Sequence, residues 1–234
     1  MPNSYVITIK NNSDAAQDYS IFNAKPVING KVQKDIYSNV FCNFSTAKND
    51  TAEVTLSTQY KAVVGSHRQD GEAVQVKVGQ TRDVNLGLAN DDGTVTNGTT
   101  LEFTRAAENG APTFSEDELA SAGFANAFAI KCPANSGWAK SDAIANNWVI
   151  GLGLSSSEGM GPTATFIPEP GPTYQIQPSN TFYISPNMFI KGRLMDVAKI
   201  GDAIAIDFTK FPTGKVTIVH GKQGGLTIQK SGAF

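Results

Sequence analysis

The chain has 234 residues, 40% of them hydrophobic and 17% charged, with 22 glycines, 11 prolines and a formal net charge of −2. That length can bury a core without disulfide staples, and the near-neutral charge removes the electrostatic argument for nucleic acid or an anionic membrane surface. No apolar run approaches the roughly 20 residues of a helical membrane span.

The amino terminus runs straight into a strand pattern, with no basic segment followed by an apolar one, and does not read as a secretory signal. The expected location is cytoplasmic, or secreted if the sequence is a mature form. Residues 5–10 form the opening strand, with Tyr5, Ile7 and Ile9 on one face. A second strand is expected over 19–22, and Asn29-Gly30 between Val27-Ile28 and Val32 carries a hairpin signal. Further strands are expected over 36–44, 52–57 and 60–64. Residues 74–78 alternate apolar and polar, and 81–86 follow across Gly79-Gln80, so these two segments read as a hairpin.

A turn-rich loop over 89–98 leads to a strand at 99–105. Ser115 and Glu118 have the spacing of a capping box, which predicts a short helix ending at Gly123. It marks a division into a β-rich half (1–105), a linker with the short helix (106–123) and a second β-rich half (124–234), unless the chain is one continuous domain. The second half predicts strands at 127–132, 147–154, 163–167, 173–177, 181–184, 203–208, 215–220 and 226–229. Pro168-Glu169-Pro170-Gly171-Pro172 is a rigid corner, because its prolines lack N–H donors. A faint likeness between 51–64 and 163–184 would fit a duplication.

The expected fold is therefore all-β, an antiparallel sandwich or two stacked β-sheet halves with one short helix. Cys42 and Cys132 lie beside apolar residues in no CxxC arrangement and read as buried free thiols.

Residues able to do chemistry are few. There are two histidines: His220 ends a strand in its inward phase, and His67 sits in a stretch that reads as a polar loop. With Glu169 in the proline corner, these are the catalytic candidates if the protein is an enzyme. No cluster has metal-ligand spacing, no Gly-Lys-Ser/Thr follows a glycine-rich loop, and no Gly-x-Ser-x-Gly elbow is present, so neither metal nor cofactor is expected. Trp138 lies in a polar segment, where a large ring suggests an exposed platform for the apolar face of a sugar. Tyr174 and Tyr183 are the further ligand-binding candidates.

Residues 7–13 with 19–26, residues 37–41, the passage 161–184 and the ending Val216-Thr217-Ile218-Val219-His220 together resemble an uncharacterised family of small β-rich proteins from filamentous fungi. The resemblance implies a fungal origin and an all-β fold, and it transfers no active-site residue. The leading expectation is a soluble, non-catalytic binding protein, lectin-like or defence-related, whose ligand is a carbohydrate or a small apolar molecule. One alternative is a cofactor-free cyclase or isomerase of fungal secondary metabolism working in an apolar pocket. Another is a structural protein that self-associates into a homo-oligomer through sheet edges.

Overall fold

The computed structural model describes residues 4–31, 35–71, 73–106, 110–117, 119–196 and 200–229. In chain order the strands are β1 (Ser4–Asn11), β2 (Gln17–Asn23), β3 (Val27–Ile28), β4 (Tyr37–Thr46), β5 (Thr51–Ser57), β6 (Lys61–Asp70) and β7 (Ala73–Asp83). Then come β8 (Leu88–Ala89), β9 (Val95–Thr96), β10 (Thr100–Arg105), β11 (Pro112–Phe114) and β12 (Phe128–Lys131). After the helix α1 (Lys140–Ala145) follow β13 (Trp148–Ser156), β14 (Gly159–Phe166), β15 (Thr173–Gln177), β16 (Thr181–Ser185), β17 (Leu194–Met195), β18 (Ile204–Asp207), β19 (Lys215–His220) and β20 (Leu226–Ile228). The protein is all-β with one short α-helix among the described residues.

The largest sheet runs β18-β16-β2-β4-β14-β13-β5-β1-β19-β20, with β6 and β7 branching from β13 and β17 attached to β4. It curls into a nearly closed barrel around one apolar cluster, to which Ile7 and Ile9 of β1, Ile21 of β2, Phe41 of β4, Phe182 of β16 and Ile218 of β19 all contribute. Each such side chain, fully removed from water, contributes about 1.5–3 kcal/mol. Strands from both sequence halves alternate in this order, and β1 pairs with β19 in parallel, Ile7 opposite Val216.

A second sheet, β11-β10-β12-β15-β3, packs over β6, β13 and β14 and encloses the other core. On β13, Trp148, Ile150 and Leu152 face this second core, whereas Leu154 faces the barrel. The change comes at the register shift between Leu152 and Gly153, where one extra residue on β14 bends the pair.

Two local expectations are corrected. The segments 74–78 and 81–86 are not a hairpin; 73–83 is one strand, β7, and its antiparallel partner is β6. Gly79 is the extra residue of a bulge, and a Cβ on the facing Gly65 would lie 2.2 Å from the Lys77 carbonyl oxygen, so these glycines serve close packing within the ladder. The reversal falls instead at Gly71, whose φ of +59° suits a tight turn.

The helix expected after Ser115 does not form. Ser115 donates its backbone N–H to the Glu102 carbonyl, its hydroxyl accepts from Asp117 N–H, and Gly98 and Gly123 exchange backbone bonds, which holds this stretch extended. Glu118, the other half of the expected capping box, lies outside the described residues, as does Val32 of the expected Asn29-Gly30 hairpin. The helix is α1, where the Asp142 carboxylate accepts from the Ala139 N–H at 2.7 Å and so satisfies a donor at the helix start.

Candidate functional site

Where the barrel meets the second core, the surface opens into a groove of about 440 Å³. Its floor is Tyr5, Tyr60 and Asn180, and its walls include Asn85, Leu86, Asn126 and Gln177. No charged residue among those described lines it.

Each wall is fixed by the fold. Tyr5, on β1, stacks on Phe208 with ring centroids 4.1 Å apart and meets Phe182 edge-on. Tyr60 lies between β5 and β6, and its carbonyl accepts from Val84 N–H, which draws the stretch after β7 alongside. Asn85 is tied to Thr99 by two hydrogen bonds: its N–H donates to the Thr99 hydroxyl, and its carbonyl accepts from Thr99 N–H. Asn126 adopts φ +61° and donates its N–H to the Gly87 carbonyl, and Gly87 N–H donates to the Ala127 carbonyl. This approach is close enough that a Cβ on Gly87 would lie 2.3 Å from the Phe124 carbonyl oxygen. The turn from Gln177 to Asn180 is clamped from beneath by the buried Asn23, whose amide donates to the Ser179 and Thr181 carbonyls at 3.0 Å each.

Both floor tyrosines donate their hydroxyl protons to the same atom, Asn180 Oδ1, at 3.2 and 3.4 Å. Burial raises the pKa of each phenol, and for Tyr60 the neighbouring Tyr5 adds to the rise, so both are neutral at ordinary pH. With their protons directed at Asn180, the phenol oxygens present lone pairs to the groove, and the Asn180 amide N–H₂ remains a donor. Asn85, Asn126 and Gln177 make no side-chain hydrogen bond within the protein among the described residues, so their amides are free to serve a ligand.

The residues singled out from the sequence lie elsewhere and are scattered, apart from Tyr174 and Glu169, which meet. Trp138, expected exposed in a polar loop, is only 6% exposed and packs edge-on against Phe103 and Trp148 in the second core. It is buried because the polar segment around it folds over the five-stranded sheet. Tyr174 is buried against Phe166, and its hydroxyl accepts from Glu169 N–H at 3.0 Å. Tyr183 is half-buried on β16, opposite Phe22.

Glu169 is held in ion pairs with Lys31 and Lys140, and the Lys31 hydrogen bond keeps its carboxyl below the usual range. His220 is 2% exposed, with Nδ1 2.9 Å from the Tyr19 hydroxyl, and burial lowers its pKa. His67 lies within β6 rather than in a loop; its Nδ1 is buried with no partner, and desolvation lowers its pKa too. Cys42 and Cys132 are buried free thiols, each pushed up to about 12 by burial. No group of three or more His, Cys, Asp or Glu side chains able to hold a metal occurs among the described residues.

Sequence reasoning missed the groove because its residues come from five separate stretches and belong to no motif. The one available signal was the Gln177-Pro178-Ser179-Asn180 turn, which puts two amides at the end of a strongly alternating strand.

The chain belongs to the RhiA family, whose model matches residues 2–231. The match covers nearly the whole chain and says nothing of the fungal source that the resemblance implied. No curated protein matches the chain, and no solved structure does.

Proposed function

We propose that this RhiA-family chain is a non-catalytic, lectin-like binding protein whose groove takes a neutral, polyhydroxylated ligand, a carbohydrate. The observation that carries the reading is the uncharged groove in which Asn180 holds two tyrosine hydroxyls while three other amides have no protein partner among the described residues. Sugar hydroxyls are both donors and acceptors, and amide side chains meet both roles without the desolvation cost of a charge. Tyrosine rings offer apolar surface to C–H faces.

The enzymatic alternative draws less support. A cyclase or isomerase needs a proton donor or acceptor at its substrate. Tyr174, Tyr183, His67, His220 and Glu169 are all absent from the lining of this groove. The tyrosines that do line it direct their protons at Asn180.

The test is isothermal titration of the intact protein with a panel of methyl glycosides. Binding by at least one member is expected, and Asn85→Ala and Gln177→Ala should each weaken it about tenfold, the worth of one good hydrogen bond. Absence of binding across the panel, or affinity untouched by both substitutions, refutes the assignment.

A further inference from the structure

Gly87 and Ala125 form a parallel bridge, which sets Leu86 beside Phe124 and Leu88 beside Asn126. Leu86 and Asn126 line the groove. Leu88 lies two residues beyond Leu86 along extended chain, and Phe124 lies beside Leu86 across the bridge, just before the turn closed by Ala127 N–H on the Phe124 carbonyl. Both are strongly exposed for large apolar side chains, at 62% and 59%. The two segments, 86–90 and 123–127, carry no charged residue.

An apolar pair flanking an uncharged, amide-rich groove matches a ligand with two unlike ends. In the floor the tyrosine oxygens accept and the Asn180 N–H₂ donates, which suits hydroxyls able to do both, while an anion would find no cation. The lip favours a non-polar substituent.

We infer that the groove takes an amphiphilic glycoside, with its sugar over Tyr5, Asn180 and Tyr60 and its apolar aglycone across Leu88 and Phe124. This rests on the carbohydrate reading above and narrows it to glycosides bearing an alkyl or aryl group. Leu88 and Phe124 are then specificity-determining residues that discriminate between glycosides of the same sugar.

The experiment compares methyl and octyl glycosides of glucose, galactose and mannose by isothermal titration, with each octyl compound below its micelle concentration. For the sugar that binds, the octyl form should bind at least about tenfold more tightly, the worth of covering two methylene groups. A double variant, Leu88→Ser with Phe124→Ser, should bring the octyl affinity down to that of the methyl glycoside and leave the methyl affinity unchanged. Both side chains are exposed, so the variant is expected to fold.

Equal affinity for methyl and octyl forms overturns the inference and leaves the carbohydrate reading standing. An octyl advantage that survives the double variant overturns the placement at Leu88 and Phe124. If octan-1-ol binds as tightly as the octyl glycoside, or if none of the six compounds binds, both readings fall together.

Discussion

Two tyrosine hydrogen-bonding groups sit at opposite extremes in this protein. Tyr19 is fully buried, and its hydroxyl meets His220 Nδ1, with the two rings edge-on at a centroid distance of 5.7 Å. Tyr5 and Tyr60 both converge on Asn180 at the floor of an open groove. In the first group every partner is inside the protein, so the pair fixes packing and has nothing left to offer. In the second, lone pairs and an amide N–H₂ remain directed outward. A polar group becomes a ligand site through what its hydrogen bonds leave unspent, and residue type alone does not decide it.

The comparison is sharpest in stability. Tyr19→Ala should cost about 3–5 kcal/mol, the range for truncating a large buried aromatic residue. Tyr19→Phe keeps the ring but strands His220 Nδ1, and should cost about 1–3 kcal/mol. Denaturant titration checks both, and a loss below about 0.5 kcal/mol for either would mean that the pair is not sealed.

Protonation should separate the two groups next. Burial holds the folded-state pKa of His220 below its ordinary value of 6.5, so beneath that pH the unfolded chain binds more protons than the folded one. The stability from a neutral His220 is therefore fully present above about pH 6.5 and is lost as pH falls below it, with His67 contributing in the same direction. At the alkaline end, burial pushes Tyr19 up to about 12, so its contribution is lost as pH rises beyond about 10, an arm shared with Tyr5, Tyr60 and Tyr174. Sugar affinity should instead stay flat from about pH 5 to 8, since no group lining the groove titrates there. Melting curves and titrations across pH check these two profiles. Parallel profiles would erase the distinction.

The smallest effects on stability belong to the groove itself. Asn85→Ala and Gln177→Ala remove amides with no protein partner among the described residues and should shift stability by less than about 0.5 kcal/mol while weakening sugar binding. A destabilisation above about 1 kcal/mol would reassign them to structure.

Much of the sheet was legible because alternation reports a two-sided environment directly. The strands Thr173–Gln177 and Lys215–His220 match their expected bounds. Alternation says nothing about which strand pairs with which, so β7 was read as two strands where its glycine serves a bulge. The helix was misplaced because a capping box is a local preference, and the backbone bonds from Ser115 to Glu102 and between Gly98 and Gly123 outweigh it. The real helix starts with an Asp142 side chain bonded back to Ala139, a signal hidden in a segment that read as a polar link. Trp138 misled for a related reason, since polar neighbours in sequence do not report what folds over a ring. The groove was the least legible feature, because residues 5, 60, 85, 126, 177 and 180 meet only through the barrel's closure against the second sheet.

The central claim is that the outward-facing amides at Asn85, Asn126, Gln177 and Asn180 bind the ligand. The most direct measurement follows the backbone and side-chain N–H resonances of the ¹⁵N-labelled protein by NMR during titration with the tightest-binding glycoside. The account predicts saturable shifts concentrated at these four amides, with the Tyr19 and His220 signals unmoved. Shifts centred on Trp138 or His220 instead, or binding that leaves all four amides unperturbed, would contradict it.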